Sequence, residues 1–261
     1  MSGTIELTYW DVALSGLLML VSMLLSWQLQ LGLQRDMIWG AIRTFVQLAL
    51  TGFILAYIFQ QNNAWLTLLA LAVMFGVAIH TARGRVATAF PGKAGVFAAA
   101  IISGGALVLT FVTAVVVKIE PWYDPRYLLP LAGMIVGNAM TAVTLAVDRF
   151  TGDLRRRRGE VEAALALGAN PAQAVAQIRR DALRTAIMPS VNAMLVVGVV
   201  SLPGMMTGQI IAGQPPTQAV HYQIVVMYMI TAAAVITSVV GVVAATRELF
   251  TPAQQVRLPE S

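Results

Sequence analysis

The feature that most limits what this chain can fold into is its run of long apolar stretches, each close to the roughly 20 residues a helix needs to cross a bilayer. Seven are read: Trp10–Leu29, Ile38–Phe59, Ala64–Thr81, Ala94–Val117, Tyr127–Val147, Ala186–Gly213 and His221–Ala245. Composition agrees: 58% of the residues are hydrophobic and 11% charged, against about 25% charged in a soluble domain. The expected fold is all-α, a polytopic integral membrane protein of about seven transmembrane helices. It forms a single domain over residues 1–261, with one long polar loop at 148–185.

Turn and charge signals separate the spans: Gln60 to Asn63, Pro91-Gly92-Lys93, Glu120 to Pro125, and Gly213 to Pro216. With the amino terminus outside, fourteen of the seventeen basic residues fall in cytoplasmic segments, as the positive-inside rule requires. Lys118 and Arg126 lie outside beside Glu120 and Asp124, and Arg43 is near enough to its span end to snorkel. The expected topology is N-out, C-in. The net charge of +5 therefore reflects topology and not a nucleic-acid partner. Trp10, Trp39, Trp65 and Trp122 lie near span ends, as interfacial anchors or as ordinary packing. Met1 to Leu7 lacks a basic region and carries Glu6, so no cleavable signal peptide is expected.

The loop from Asp148 to Thr185 reads as helix, tight turn, helix. Glu160 to Leu167 are helix formers, and Gly168 stands where a helix end wants positive φ. Asn170 then suits an N-cap, with Pro171 at the first position of a second helix. Val175, Ile178 and Leu183 give that helix an apolar stripe. Such a hairpin is too polar for the bilayer and must lie on the cytoplasmic surface. Its ridge of small residues (Ala163, Ala164, Ala166, Gly168, Ala169) admits close approach by another protein, or the hairpin only fixes topology.

Other chemistries are missing. There is no cysteine, hence no disulfide or thiolate site. Lys93 and Lys118 are the only lysines and neither has a P-loop framework, so this chain cannot hydrolyse ATP in that way. No ionisable residue other than Arg43 lies near the middle of a span, which weakens a proton-coupled carrier. His80 and His221 fall at opposite membrane faces, and neither G-x-S-x-G nor H-E-x-x-H is present.

Within the spans, Gly133/Gly137 and Gly204/Gly208 are G-x-x-x-G patterns suited to close helix approach, inside one chain or between two. Asn138 lies near mid-span, where an unsatisfied amide is costly. It must meet another helix, a water-filled cavity or a transport path. Gln47 and Gln209 invite the same argument. Pro203-Gly204 interrupts the sixth span as a kink or a break, and broken helices often border transport paths. Met134, Met140, Met205 and Met206 flank these motifs, as flexible packing or as soft ligands.

Glu162-Ala163-Ala164, then Gly168, then Ile178 resembles the EAA loop of ABC-transporter permeases. It departs after Ile178, where that family usually has Leu-Pro two positions on and this chain has Arg180-Asp181. Leu131 to Met140 and Ser201 to Gly208 are similar to segments of FetB-type iron-export permeases, which are related to plant aluminium-tolerance permeases. The resemblance runs from about Ala41 to Arg247. It implies a permease in the cell inner membrane that exports metal ions, iron above all, with ATP used by a separate FetA-type ATPase subunit. It also implies a homodimer, since one chain supplies one hairpin. No cofactor is expected on this chain. The coupling residues would be Glu162, Ala163, Ala164, Gly168, Asn170 and Pro171, and the path residues Gln47, Asn138, Met205, Met206 and Gln209. An importer permease of the same type, and an ATP-independent channel or scaffold, are the alternatives.

Overall fold

The computed structural model describes residues 8–257, and every named element among them is helical. The expectation about a leader at Met1–Leu7 lies outside the described residues. The chain divides into two units, 1–62 with 211–213, and 63–210 with 214–261.

The first unit is built from α1 (Tyr9–Gln28) and α2 (Gln34–Gln61). A capping box starts α1: the Thr8 side chain accepts from Asp11 N, while Asp11 accepts from Thr8 N at 2.7 Å. Large apolar side chains on all sides of both helices are exposed, including Leu18, Leu24, Phe45 and Phe53. A helix that exposes apolar side chains all round is suited to lipid.

The second unit holds α3 (Ala64–Arg85), α4 (Lys93–Phe111), α5 (Pro125–Arg156), α6 (Arg158–Ala166), α7 (Pro171–Ala174), α8 (Ala176–Val196), α9 (Gly204–Ile211) up to its last residue, and α10 (Pro216–Glu248). A π-helical turn, Val112–Val116, extends α4. At its centre α10 lies against α5 and α4, with α3 and α8 packed on α5. Glycine makes the closest approaches possible. A Cβ on Gly104 would stand 2.4 Å from Thr237 Cγ2, and one on Gly241 2.4 Å from Val143 Cγ2. The expected pairs contribute less: Gly133 faces only Met74, and a Cβ on Gly137, Gly204 or Gly208 would meet nothing within 4 Å.

Two apolar clusters mark the ends of this bundle. One gathers Val86, Phe90, Phe150, Leu154, Ile178 and Leu249. The other gathers Val112, Ile119, Leu128, Ile135 and Met229. The first end carries Arg83, Arg85, Lys93, the Arg155–Arg158 run and Arg247, and is called the basic end below. Lys118 and Arg126 stand at the far end.

Among the described residues six helices are long and apolar enough to cross a membrane: α1, α2, α3, α4 with its π turn, α5 and α10. The sixth expected span, Ala186–Gly213, is divided. Helix α8 ends at Val196 and α9 begins at Gly204. Between them Gly198 takes φ +83° and its N–H donates to Ser201 O at 2.9 Å. The segment is thus broken and not kinked, and the break precedes Pro203. Pro203 accepts from Thr207 N and opens α9. Pro189, inside α8, does not end it.

Candidate functional site

The hairpin at the basic end is continuous with the bundle. Helix α5 runs unbroken from the apolar layer into the loop, and α8 returns the same way. Asp153 anchors the departure: buried on the bundle side, it pairs with Arg149 Nε at 2.8 Å and with Arg156. A carboxylate held between two guanidiniums keeps its charge satisfied at the edge of the apolar core.

Local chemistry closes the turn. Ala169 N donates to Ala164 O at 3.1 Å and Gly168 N to Leu165 O at 3.0 Å. That is the Schellman pair of bonds, and Gly168 takes the φ of +92° it requires. Asn170 then caps α7 reciprocally with Gln173, each bond 2.9 Å long, with Pro171 at the first position. The second hairpin helix differs from expectation. It is interrupted at Val175, so that a single turn, α7, precedes α8. Val175 is fully buried, as is Ile178, and burying this pair in the basic-end cluster fixes the bend.

The tip faces outward. Glu162, Ala163, Ala166, Gly168 and Asn170 are exposed, and Ala164 and Pro171 are half-buried. Leu167 is 89% exposed at the head of the turn. Sequence reasoning passed over Leu167 because it reads as one more apolar helix position beside Leu165, which packs against the core. Two ion pairs stiffen α6: Arg157 with Glu160 and Arg158 with Glu162, both at 2.7 Å. Hydrogen bonding from Arg157 holds the Glu160 carboxyl below its ordinary range, and the same bond raises Arg157.

Beside the hairpin, Asn170, Pro171 and Ala172 share a groove of about 600 Å³ with Thr246, Arg247, Phe250 and Pro252 at the end of α10. The chain there folds back on itself, Arg257 N donating to Leu249 O at 2.7 Å. The hairpin, α5, α8 and the end of α10 thus share one packed base.

The expected path residues are not gathered at one point. Gln47 is exposed on α2, in the first unit. In the second unit, Asn138 lies on the exposed face of α5 with Gly137 and Thr141. Its amide donates to Met134 O of its own helix at 2.8 Å and reaches no other helix among the described residues. Met205, Met206 and Gln209 are half-buried on α9, and Met205 packs against the far-end cluster. The Gln209 side-chain oxygen is buried with no partner among the described residues, as is that of Gln223 on α10, which the sequence reading did not single out. Among the described residues no three His, Asp or Glu side chains converge to hold a metal ion.

The profile of the Uncharacterised protein family (UPF0014) matches residues 9–250. A UPF0014 membrane protein of Synechocystis sp. is 38% identical over 252 residues, covering 96% of this chain and 97% of the relative. "Protein ALUMINUM SENSITIVE 3" of Arabidopsis thaliana is 37% identical over 238 residues, 91% of this chain and 86% of the relative. "Probable iron export permease protein FetB" of Escherichia coli is 34% identical over 250 residues, 96% of this chain and 95% of the relative. No solved structure matches the chain.

Proposed function

We propose, for a chain that belongs to the UPF0014 family of membrane proteins, the role of membrane-spanning subunit in an ABC transporter that exports metal ions. A separate ATPase supplies the energy by docking on the hairpin. The observation that carries this reading is the tip. A Schellman turn and a capping box hold it rigid, it is joined to α5 and α8 without a slack linker, and it presents an unpaired apolar side chain, Leu167, above a ridge of alanines. An exposed leucine above small residues that admit close approach would lose its apolar surface to a partner's cleft. Closure of the ATPases would pull on the hairpin and, through α5 and α8, tilt the apolar layer. The divided Ala186–Gly213 segment, with no helix between Val196 and Gly204, is the place where such tilting meets least resistance.

Export of a metal ion is supported by the relative named as an iron export permease, 34% identical over 96% of this chain. Homodimerisation is supported by Asn138 and Thr141, which lie exposed on a membrane helix of the single chain. A second copy or an aqueous path between copies would relieve that exposure. The basic end is assigned to the cytoplasm of the inner membrane by the positive-inside rule. Co-expression with a FetA-type ATP-binding subunit tests the reading. The tagged permease should retain the ATPase through purification, and Leu167→Asp should release it. Equal retention by both forms would remove the hairpin from the interface.

A further inference from the structure

At the far end of the second unit, between α3 and the end of α4, lies a cleft of about 730 Å³. Leu71 and Phe75 form one wall, and Ala106, Leu109 and Ala114 the other. The hydroxyl of Thr113 in this wall is spent inside its own helix, donating to Leu109 O at 2.9 Å. Below the mouth the lining is apolar apart from the hydroxyls of Thr110 and Thr113. Charge is confined to the mouth, where Lys118, Glu120 and Trp122 stand together. Lys118 and Glu120 are exposed, and neither takes part in an ion pair or side-chain hydrogen bond among the described residues.

The depth of the cleft is informative. Ala106 and Val116, the last residue of the π turn, are ten positions apart, about 15 Å at the helical rise. Half of the hydrocarbon core is about 15 Å. The cleft thus runs from the interface to the middle of the bilayer, the course of one acyl chain. Trp122 at its mouth is 60% exposed, as an interfacial anchor is.

We propose that this cleft is a binding site for one zwitterionic phospholipid with a primary-amine headgroup. Its acyl chain lies between α3 and α4, its phosphate is met by Lys118, and its ammonium by Glu120. A lysine alone would meet the phosphate of any phospholipid, but a carboxylate two residues away adds a partner that only an amine headgroup fills. The inference rests on the bundle spanning a membrane and is independent of what is transported.

The test uses the full chain in nanodiscs of phosphatidylethanolamine and phosphatidylglycerol in equal amounts. Either lipid is doped with an analogue bearing a photoreactive group near the acyl terminus, and labelled peptides are mapped. The phosphatidylethanolamine probe should label residues 71–75 and 106–114, and the phosphatidylglycerol probe should do so about tenfold less, the factor for one hydrogen bond to a charged group. Lys118→Glu should lower phosphatidylethanolamine labelling there by a similar factor, and Ala114→Trp should block it. Equal labelling by the two probes, labelling that avoids this cleft, or labelling unchanged in folded Lys118→Glu would each overturn the proposal. The comparison of the two probes needs no variant, so a misfolded mutant does not spare it.

Discussion

Gly168→Val is the perturbation whose outcome follows most directly from the structure. Gly168 has φ +92°, and a Cβ built there meets nothing within 4 Å. Crowding therefore contributes nothing, and the whole penalty is conformational. Left-handed backbone costs an L-residue roughly 1–2 kcal/mol, and a β-branched side chain belongs at the upper end. Against a typical stability of about 5–15 kcal/mol the protein stays folded and inserted. The turn, however, has a local alternative: fraying α6 and losing the bonds from Gly168 and Ala169. A bias of about 2 kcal/mol lowers the ratio of built to frayed turn by roughly thirtyfold. Transport and permease-stimulated ATP hydrolysis should fall by up to that factor at limiting ATPase, while expression and thermal unfolding change little. Gly159→Ala, on the adjoining helix with no positive φ, should leave coupling intact. A Gly168→Val protein that binds and stimulates its ATPase normally would refute the argument.

Further outcomes follow from other sites. Glu162→Arg removes an exposed ion pair with Arg158, which is worth less than about 1 kcal/mol; stability should hold while ATPase retention in a pull-down falls. Gly241→Val drives a methyl into Val143 Cγ2, whose β-branched side chain cannot swing aside in a helix; overpacking should cost about 1–3 kcal/mol, read as a lowered unfolding temperature. Glu160 is held below its ordinary range by Arg157, so their pair is fully formed above the ordinary glutamate value and is lost only as pH falls through the depressed one. Hydrogen exchange at the start of α6 should accordingly stay slow through the usual glutamate range and rise below it. Single cysteines at positions 138, 205 and 209, in a chain that has none, should react with a water-soluble thiol reagent and change reactivity when ATP is trapped on the partner; uniform silence would return these positions to packing.

Much of this was legible in the sequence because it is local. Apolar runs give most of the membrane helices, and Gly168 and Asn170 announce a Schellman end and an N-cap through their own backbone chemistry. What escaped depends on tertiary context. The bend at Val175 comes from burying Val175 and Ile178 in a cluster built by distant helices. The gap at Val197–Leu202 is apolar almost throughout, so hydropathy reads across it. The close helix approaches use Gly104 and Gly241. The paired Gly133/Gly137 and Gly204/Gly208 are open on their four-residue faces or nearly so, and periodicity names a face without naming what meets it. Leu167 was hidden in the same way, since exposure at a turn is not a property of composition.

Metal uptake into inverted vesicles tests most directly whether a separate ATPase drives metal export through the hairpin. Vesicles carrying the permease with its ATPase should accumulate ferrous iron in the presence of ATP. Accumulation should vanish with a non-hydrolysable analogue and with Leu167→Asp, while both subunits remain present. Accumulation by the permease alone, or ATP-driven accumulation undiminished by Leu167→Asp, would contradict the account.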